Sequence, residues 1–369
     1  MRRRSRTAIA AVAAALCLCV VPSAEAAGKR LVGVNAVPAP NAAQMARLGA
    51  AGTDTVRVSV GWRQIEPFQG SRNWVHLDTV VAGAVGAGME VLPVLFHSPK
   101  WVHAQGQTPP IYTDAARSAW TAFVTDLVAR YGTNGTFWAA HPELPRRPFR
   151  YYQIWNEVNL RFFWGGRPNP RGYSQLVKLS SRALSADPEA KLLLAGLIPY
   201  RTVGAGSVAG TTYLKRLLKF RSLRKHVDAV AVHPYGRTPR VVINGIEQIR
   251  EVLTPPRTKQ PARRSRRKAW ARKLPLFATE FGWTTGGELW NISPLRADPG
   301  QQARRVKRSY ELMRKDAKRL RLRRAFYFNF QDFDAEGTDY WSARMGLFDL
   351  AGNPKPAWFS YVESAGGTP

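Results

Sequence analysis

Tyr151 to Trp164 reads YYQIWNEVNLRFFW. It begins as a buried strand, with Tyr152, Ile154 and Trp155 in an apolar run, and then stops on an amide beside a carboxylate, Asn156-Glu157. Four more apolar or aromatic positions follow: Leu160, Phe162, Phe163 and Trp164. A carboxyl delivered by a strand into apolar surroundings has its pKa raised, which suits a proton donor. Such an acid needs a partner, and the remaining strands are where to look for it.

Seven other runs share the apolar part of this pattern: RLVGVNAV from Arg30, TDTVRVSVGW from Thr53, EVLPVLFHS from Glu90, KLLLAGL from Lys191, VDAVAVHPY from Val227, LPLFATEFGW from Leu274 and RRAFYFNFQ from Arg323. Unbroken Val, Leu, Ile and Phe, with little alternation, is what parallel strands buried on both faces require. Helical spacing fills the gaps. Trp120, Phe123, Val124, Leu127, Val128 and Tyr131 form one stripe, and Tyr173, Leu176, Val177, Ser180, Ala183 and Leu184 repeat it. NAAQMARLGAAG opens on an Asn cap and closes on Gly52. Eight βα units in order predict an α/β fold, a (β/α)8 TIM barrel, in a single domain over 27–369. A doubly wound sheet is the alternative, but it more often has fewer strands, and VGVNAVPAPN after the first run has no GxGxxG.

The chain has 369 residues, 45% of them hydrophobic, which suffices for one large barrel core. Its first 26 residues read as a secretion signal: the basic MRRRSR, an apolar run through Val21, and AEA at Ala24 to Ala26. A secreted, extracellular protein is expected. Both cysteines, Cys17 and Cys19, lie in that leader, so disulfides and Cys-ligated zinc are excluded from the rest. The net charge is +30; the leader carries four Arg and one Glu, which leaves +27 beyond it. Pro256 to Lys273 holds nine cations and no anion, and Arg314 to Arg324 holds seven against one Asp. Such a surface favours an anionic cell-wall or extracellular polymer. Only Trp270 interleaves the first run, so no specific nucleic-acid reader is expected. In a barrel, 256–273 falls before the seventh strand, on the face away from the chemistry, and its composition is also that of a disordered stretch.

Barrel chemistry gathers at the C-terminal strand ends. There the runs place Arg57 and Trp62, then His97, Asn156-Glu157, His233 and Tyr235, Glu280 and Trp283, and finally Asn329, Gln331 and Asp332. Two glutamates close apolar strands over one cleft, which is what glycoside hydrolysis needs. No HExxH and no GxSxG occurs, and neither a metal nor a cofactor is expected. His97 and His233 read equally as core or cleft residues, and so do Trp62, Trp164 and Trp283.

With IWNEVNL followed by FATEFGW, the two glutamates 123 residues apart, the chain resembles the retaining glycoside hydrolases of clan A, family 39-like or family 5-like. VRVSVGWRQIEPFQGSRNWVHLD, HPY and GLFDLAGNPKPAW extend the resemblance over most of 31–362. It implies Glu157 as acid/base, Glu280 as nucleophile, Asn156 on the sugar 2-hydroxyl, and Arg57 and Tyr235 holding Glu280 ionised, with His233 on the same wall. The implied substrate is a poly- or oligosaccharide, and a monomer is expected. Val158 departs from the family's usual Pro. The eighth strand lacks the family's Trp, with Tyr327, Phe330 and Trp341 as its stand-ins. A carbohydrate- or polymer-binding barrel without turnover is the competing reading.

Overall fold

The structure, a computed structural model, describes residues 31–200, 205–254, 269–287, 293–334 and 341–369. The leader 1–26, most of the basic segment 256–273 and the Trp341 side chain lie outside the described residues. All eight expected runs are strands: β1 Val32–Asn35, β2 Thr55–Gly61, β3 Glu90–Phe96, β4 Tyr151–Ile154, β5 Lys191–Leu197, β6 Ala229–Val232, β7 Leu276–Phe281 and β8 Leu322–Tyr327. They close in sequence order into one barrel. β1 pairs in parallel with both β2 and β8, Val32 lying opposite Ala325 and Gly33 opposite Thr55.

Around the barrel run α1 Ala42–Ala50, α2 Trp62–Ile65, α3 Val75–Gly86, α4 Asp114–Tyr131, α5 Thr136–Ala140, α6 Arg161–Trp164, α7 Pro170–Leu184, α8 Gly210–Leu217, α9 Pro239–Leu253, α10 Pro299–Leu320 and α11 Pro356–Ala365. The expected α4 and α7 stripes are buried in full. Asn41 caps α1 by a reciprocal exchange with Gln44. The stretch 132–150, between α4 and β4, contains the short helix α5, which buries Phe137 and Trp138.

Strands buried on both faces produce two apolar layers. Inside the barrel, Leu92, Leu193, Ala229, Ala231, Phe277 and Phe326 pack together under Tyr151. Gly33 makes room there, because a Cβ on it would stand 2.6 Å from the Phe326 ring. The larger cluster lies between the sheet and the helices. β4 differs from its sequence reading in one respect. It stops at Ile154, because Trp155 turns to φ 66° and Glu157 to φ 38°. Asn156-Glu157 therefore stands on a tight left-handed turn just past the strand rather than on it.

Candidate active site

Arg57, third in β2, organises the floor of the site. Its Nη1 donates to Glu280 Oε1 at 2.7 Å and also to Asn35 Oδ1. Its Nη2 donates to Asn156 Oδ1 at 3.0 Å and its Nε to Gln153 Oε1 at 3.1 Å. Asn35 Nδ2 donates in turn to the carbonyls of Thr279 and Tyr327. One buried guanidinium thus ties β1, β2, β4 and β7 together and meets one carboxylate, the bonded arrangement a buried charge requires.

His233 stands between the two glutamates. Its Nδ1 lies 2.7 Å from Glu157 Oε1 and 3.4 Å from Glu280 Oε2. Tyr235 donates its hydroxyl to Glu280 Oε2 at 2.9 Å. The His233 ring is wholly buried, and only a glycine at 196 on β5 admits it: a Cβ there would stand 1.9 Å from Nε2. Glu157 and Glu280 are almost entirely buried. One oxygen from each, with a His233 nitrogen, lie within 4.8 Å of one another.

The two carboxyls respond to burial in opposite senses. Burial raises the Glu157 pKa, and the nearby Glu280 charge adds to it, against a hydrogen bond and charge from His233 and the Arg57 charge. Burial also acts upward on Glu280, but His233 and Arg57, with hydrogen bonds from Tyr235 and Arg57, outweigh it and hold Glu280 below the ordinary carboxylate value. Tyr235 is pushed well above the ordinary phenol value by burial and by both carboxylates, so it stays a donor. Among the described residues, Glu157, His233 and Glu280 are the group with metal-ligand spacing. Their facing atoms already bond one another, and Arg57 supplies a cation at Glu280, which leaves a divalent ion little unbalanced charge to bind.

His97 follows β3 at φ 62°, half-buried, its pKa lowered to about 4 by burial and by the Arg63 charge, so its ring is neutral near pH 7. Asn156 keeps its amide nitrogen uncommitted at the cleft. The three tryptophans do not face it. Trp62 is fully buried among Trp101, Trp120 and Phe123, with its Nε1 on Glu66. Trp283 is fully buried with its Nε1 on the Gly236 carbonyl, and Trp164 is buried against Tyr173. They support the walls from behind, so as sugar platforms they are corrected.

Tyr327 and Phe330, the expected stand-ins on the eighth strand, are also buried. The half-exposed ring is that of Phe328, whose centroid is 6.5 Å from that of Tyr235. Sequence reasoning missed Phe328, Asn35, Gln153 and Gly196. Asn35 carried a readable signal, being a polar residue at the close of an apolar run, as Glu157 is. Gly196 carried none, because its role depends on a side chain from another strand.

The fold places the chain in the class of (β/α)8 barrels. No family model matches the sequence. No curated protein matches it either. Solved structures do match, and they include glycoside hydrolases of families 39 and 5. A family 39 glycoside hydrolase from Bacteroides cellulosilyticus aligns with a TM-score of 0.67 at 18% identity, over 92% of this chain and 64% of that one. A monomeric β-xylosidase from Caulobacter crescentus aligns with a TM-score of 0.62 at 20% identity, over 90% of this chain and 67% of that one. A xylanase from Thermotoga maritima aligns with a TM-score of 0.58 at 13% identity, over 93% of this chain and 96% of that one. The chain spans just under two thirds of the first of these. At such identities the shared property is the barrel.

Proposed function

We propose that the protein is a secreted, monomeric retaining β-glycosidase acting on a poly- or oligosaccharide. The observation that carries this reading is the pair Glu157 and Glu280: one oxygen of each within 4.8 Å, bridged by His233, with opposite pKa displacements. Inverting sites separate their carboxyls by about 6.5–9.5 Å to admit a water, whereas retaining sites bring them to about 5–5.5 Å. Here the second acid attacks the sugar itself. Glu157 gives its proton to the leaving oxygen as ionised Glu280 attacks the anomeric carbon. Once Glu280 is esterified its charge is gone, and with it one of the influences that raise Glu157. Glu157 then takes the proton of the incoming water, and the starting anomer is restored.

The test separates the two roles. Glu280→Gln is expected to abolish turnover of every glycoside. Glu157→Ala is expected to spare aryl glycosides with good leaving groups, which need no proton, and azide is expected to speed their turnover. Equal loss on activated and natural substrates without azide rescue overturns the assignment. Glycan binding with no turnover by the wild type identifies a binding barrel instead. Secretion is checked by the N-terminal residue of the exported protein.

A further inference from the structure

The catalytic carboxylates carry their own partners, yet the strand-end face around them holds further cations. Arg63 follows β2. Its backbone N–H donates to the His97 carbonyl at 3.0 Å, and its guanidinium donates to the Ala104 carbonyl at 3.2 Å. Its charge reaches the His97 ring. Arg161 follows β4 on the same loop as Glu157, whose carbonyl accepts the Leu160 N–H at 2.8 Å. Its stem lies over Gly206, and beside it the Phe162 ring is 66% exposed. Arg237 follows β6, two residues after Tyr235 and one after the Gly236 carbonyl that anchors Trp283.

Among the described residues, none of these three arginines is paired with a carboxylate. Among the described residues, several acids of the same face already have cations: Glu66 has Arg72, Asp332 has Lys355 and Asp334 has Arg344. Arg161 and Arg237 are exposed and Arg63 half-buried. A neutral sugar offers a guanidinium only uncharged hydroxyl acceptors, whereas a carboxylate or sulfate matches both its charge and its fork.

We propose that the glycan bound at this cleft is anionic, its carboxylate or sulfate groups held by Arg63, Arg161 and Arg237 on three alternate strand-end loops. The inference rests on the glycosidase reading for the cleft, but it is tested by binding rather than by turnover.

Glu280→Gln protein is titrated calorimetrically, at one fixed ionic strength, with a β-linked oligoglucuronate, with its carboxyl-reduced neutral counterpart and with a sulfated form of that counterpart. At least one charged chain is expected to bind tenfold or more tightly than the neutral one, and the arm that does so identifies the anion. Adding Arg63→Ala, Arg161→Ala and Arg237→Ala is expected to erase the difference. Adding Arg221→Ala, Arg224→Ala and Lys225→Ala, exposed residues before β6 on the opposite face, removes the same formal charge and is expected to leave it intact. Arg63→Gln alone, which keeps most of the stem, is expected to lower charged-chain affinity at least threefold. Equal affinity for charged and neutral chains, joint absence of binding included, overturns the proposal, as does equal loss in the two triple variants. Turnover of both neutral and uronate aryl glycosides by the wild type is scored separately, so a failed glycosidase reading is distinguished from a failed charge preference.

Discussion

Glu157 and Glu280 are the same residue type in equal burial, and their neighbours alone set them apart. Tyr235 and Arg57 both donate to Glu280 and favour its ionised form. Removing one donor raises its pKa, so the acid limb of kcat/KM in Tyr235→Phe is expected to move to higher pH. A hydrogen bond to a charged group contributes about 1.5–3 kcal/mol, which sets the fall in kcat/KM at about tenfold to a hundredfold. An unmoved acid limb would show that Glu280 is not the group being titrated. Glu157 links to stability with the opposite sign. Its folded pKa lies above its unfolded one, so its stabilising contribution is complete below the unfolded value. That contribution is lost as pH rises through the folded value. Glu157→Gln avoids the loss and can still accept from His233, so its Tm advantage over the wild type is expected to grow between pH 4 and pH 7. Scans at those two pH values check this. Both acids, Tyr235 and His233 were legible in the sequence because each lies near the end of a readable strand or just past it, and Arg57 because it is a charged residue inside a largely apolar run. The aromatic wall was not: composition counts tryptophans, whereas burial is decided by how helices pack behind the barrel. Trp62 and Trp283 thus turned inward, and Phe328 took the cleft.

The same contrast holds for elements. Largely apolar runs marked the strands, because burial on both faces leaves little polar alternation to confuse the pattern, although β2 carries Arg57 and Ser59 and β8 carries Arg323 and Arg324. β4 ends at Ile154, three residues short of the Glu157 that closes the run in the sequence, since nothing local announces that Trp155 adopts φ 66°. Loop-to-loop bonds were equally silent. Lys355, just before α11, donates to Asp332 after β8 and to Thr285 after β7, clamping the last two strand-end loops to each other. Both charges are more than nine-tenths buried. Removing one partner strands the other, so Lys355→Met is expected to cost about 3–5 kcal/mol. The double variant Lys355→Met with Asp332→Asn is expected to recover a large part of that loss. Denaturant unfolding checks both, and an equal loss in single and double variants would mean that packing rather than charge holds the loops. On β5, Gly196→Ala drives a methyl into the buried His233 ring and is expected to cost about 1–3 kcal/mol, with impaired turnover.

Across the whole molecule, positive charge is distributed unevenly in function as well as in sequence. Several cations of α10 are absorbed by exposed, solvent-screened pairs such as Lys307 with Glu363 and Arg308 with Glu311, which add little to stability. The basic segment 256–273 is different, because nine cations stand there without an acid among them. Its described end is pinned far from the cleft. Arg250 donates to the Leu274 carbonyl at 2.8 Å and to the Leu320 carbonyl at 2.8 Å, beside the turn Ala269–Lys273 that leads into β7. From there the six residues of β7 carry the chain about 20 Å to Glu280 and its neighbours. The screening length is about 10 Å at 0.1 M salt, so a charge anchored at that end acts on the reacting groups only weakly. Neutralising the Arg and Lys residues of 256–273 is therefore expected to leave kcat/KM on a small aryl glycoside within about twofold of the wild type. Retention on an immobilised anionic polymer is expected to fall in the same variant, and the wild type's retention to weaken steeply as salt is raised. The two assays are run on one protein preparation. A large drop in small-substrate turnover would place the segment at the cleft, and unchanged, salt-insensitive retention would remove its role in adhesion.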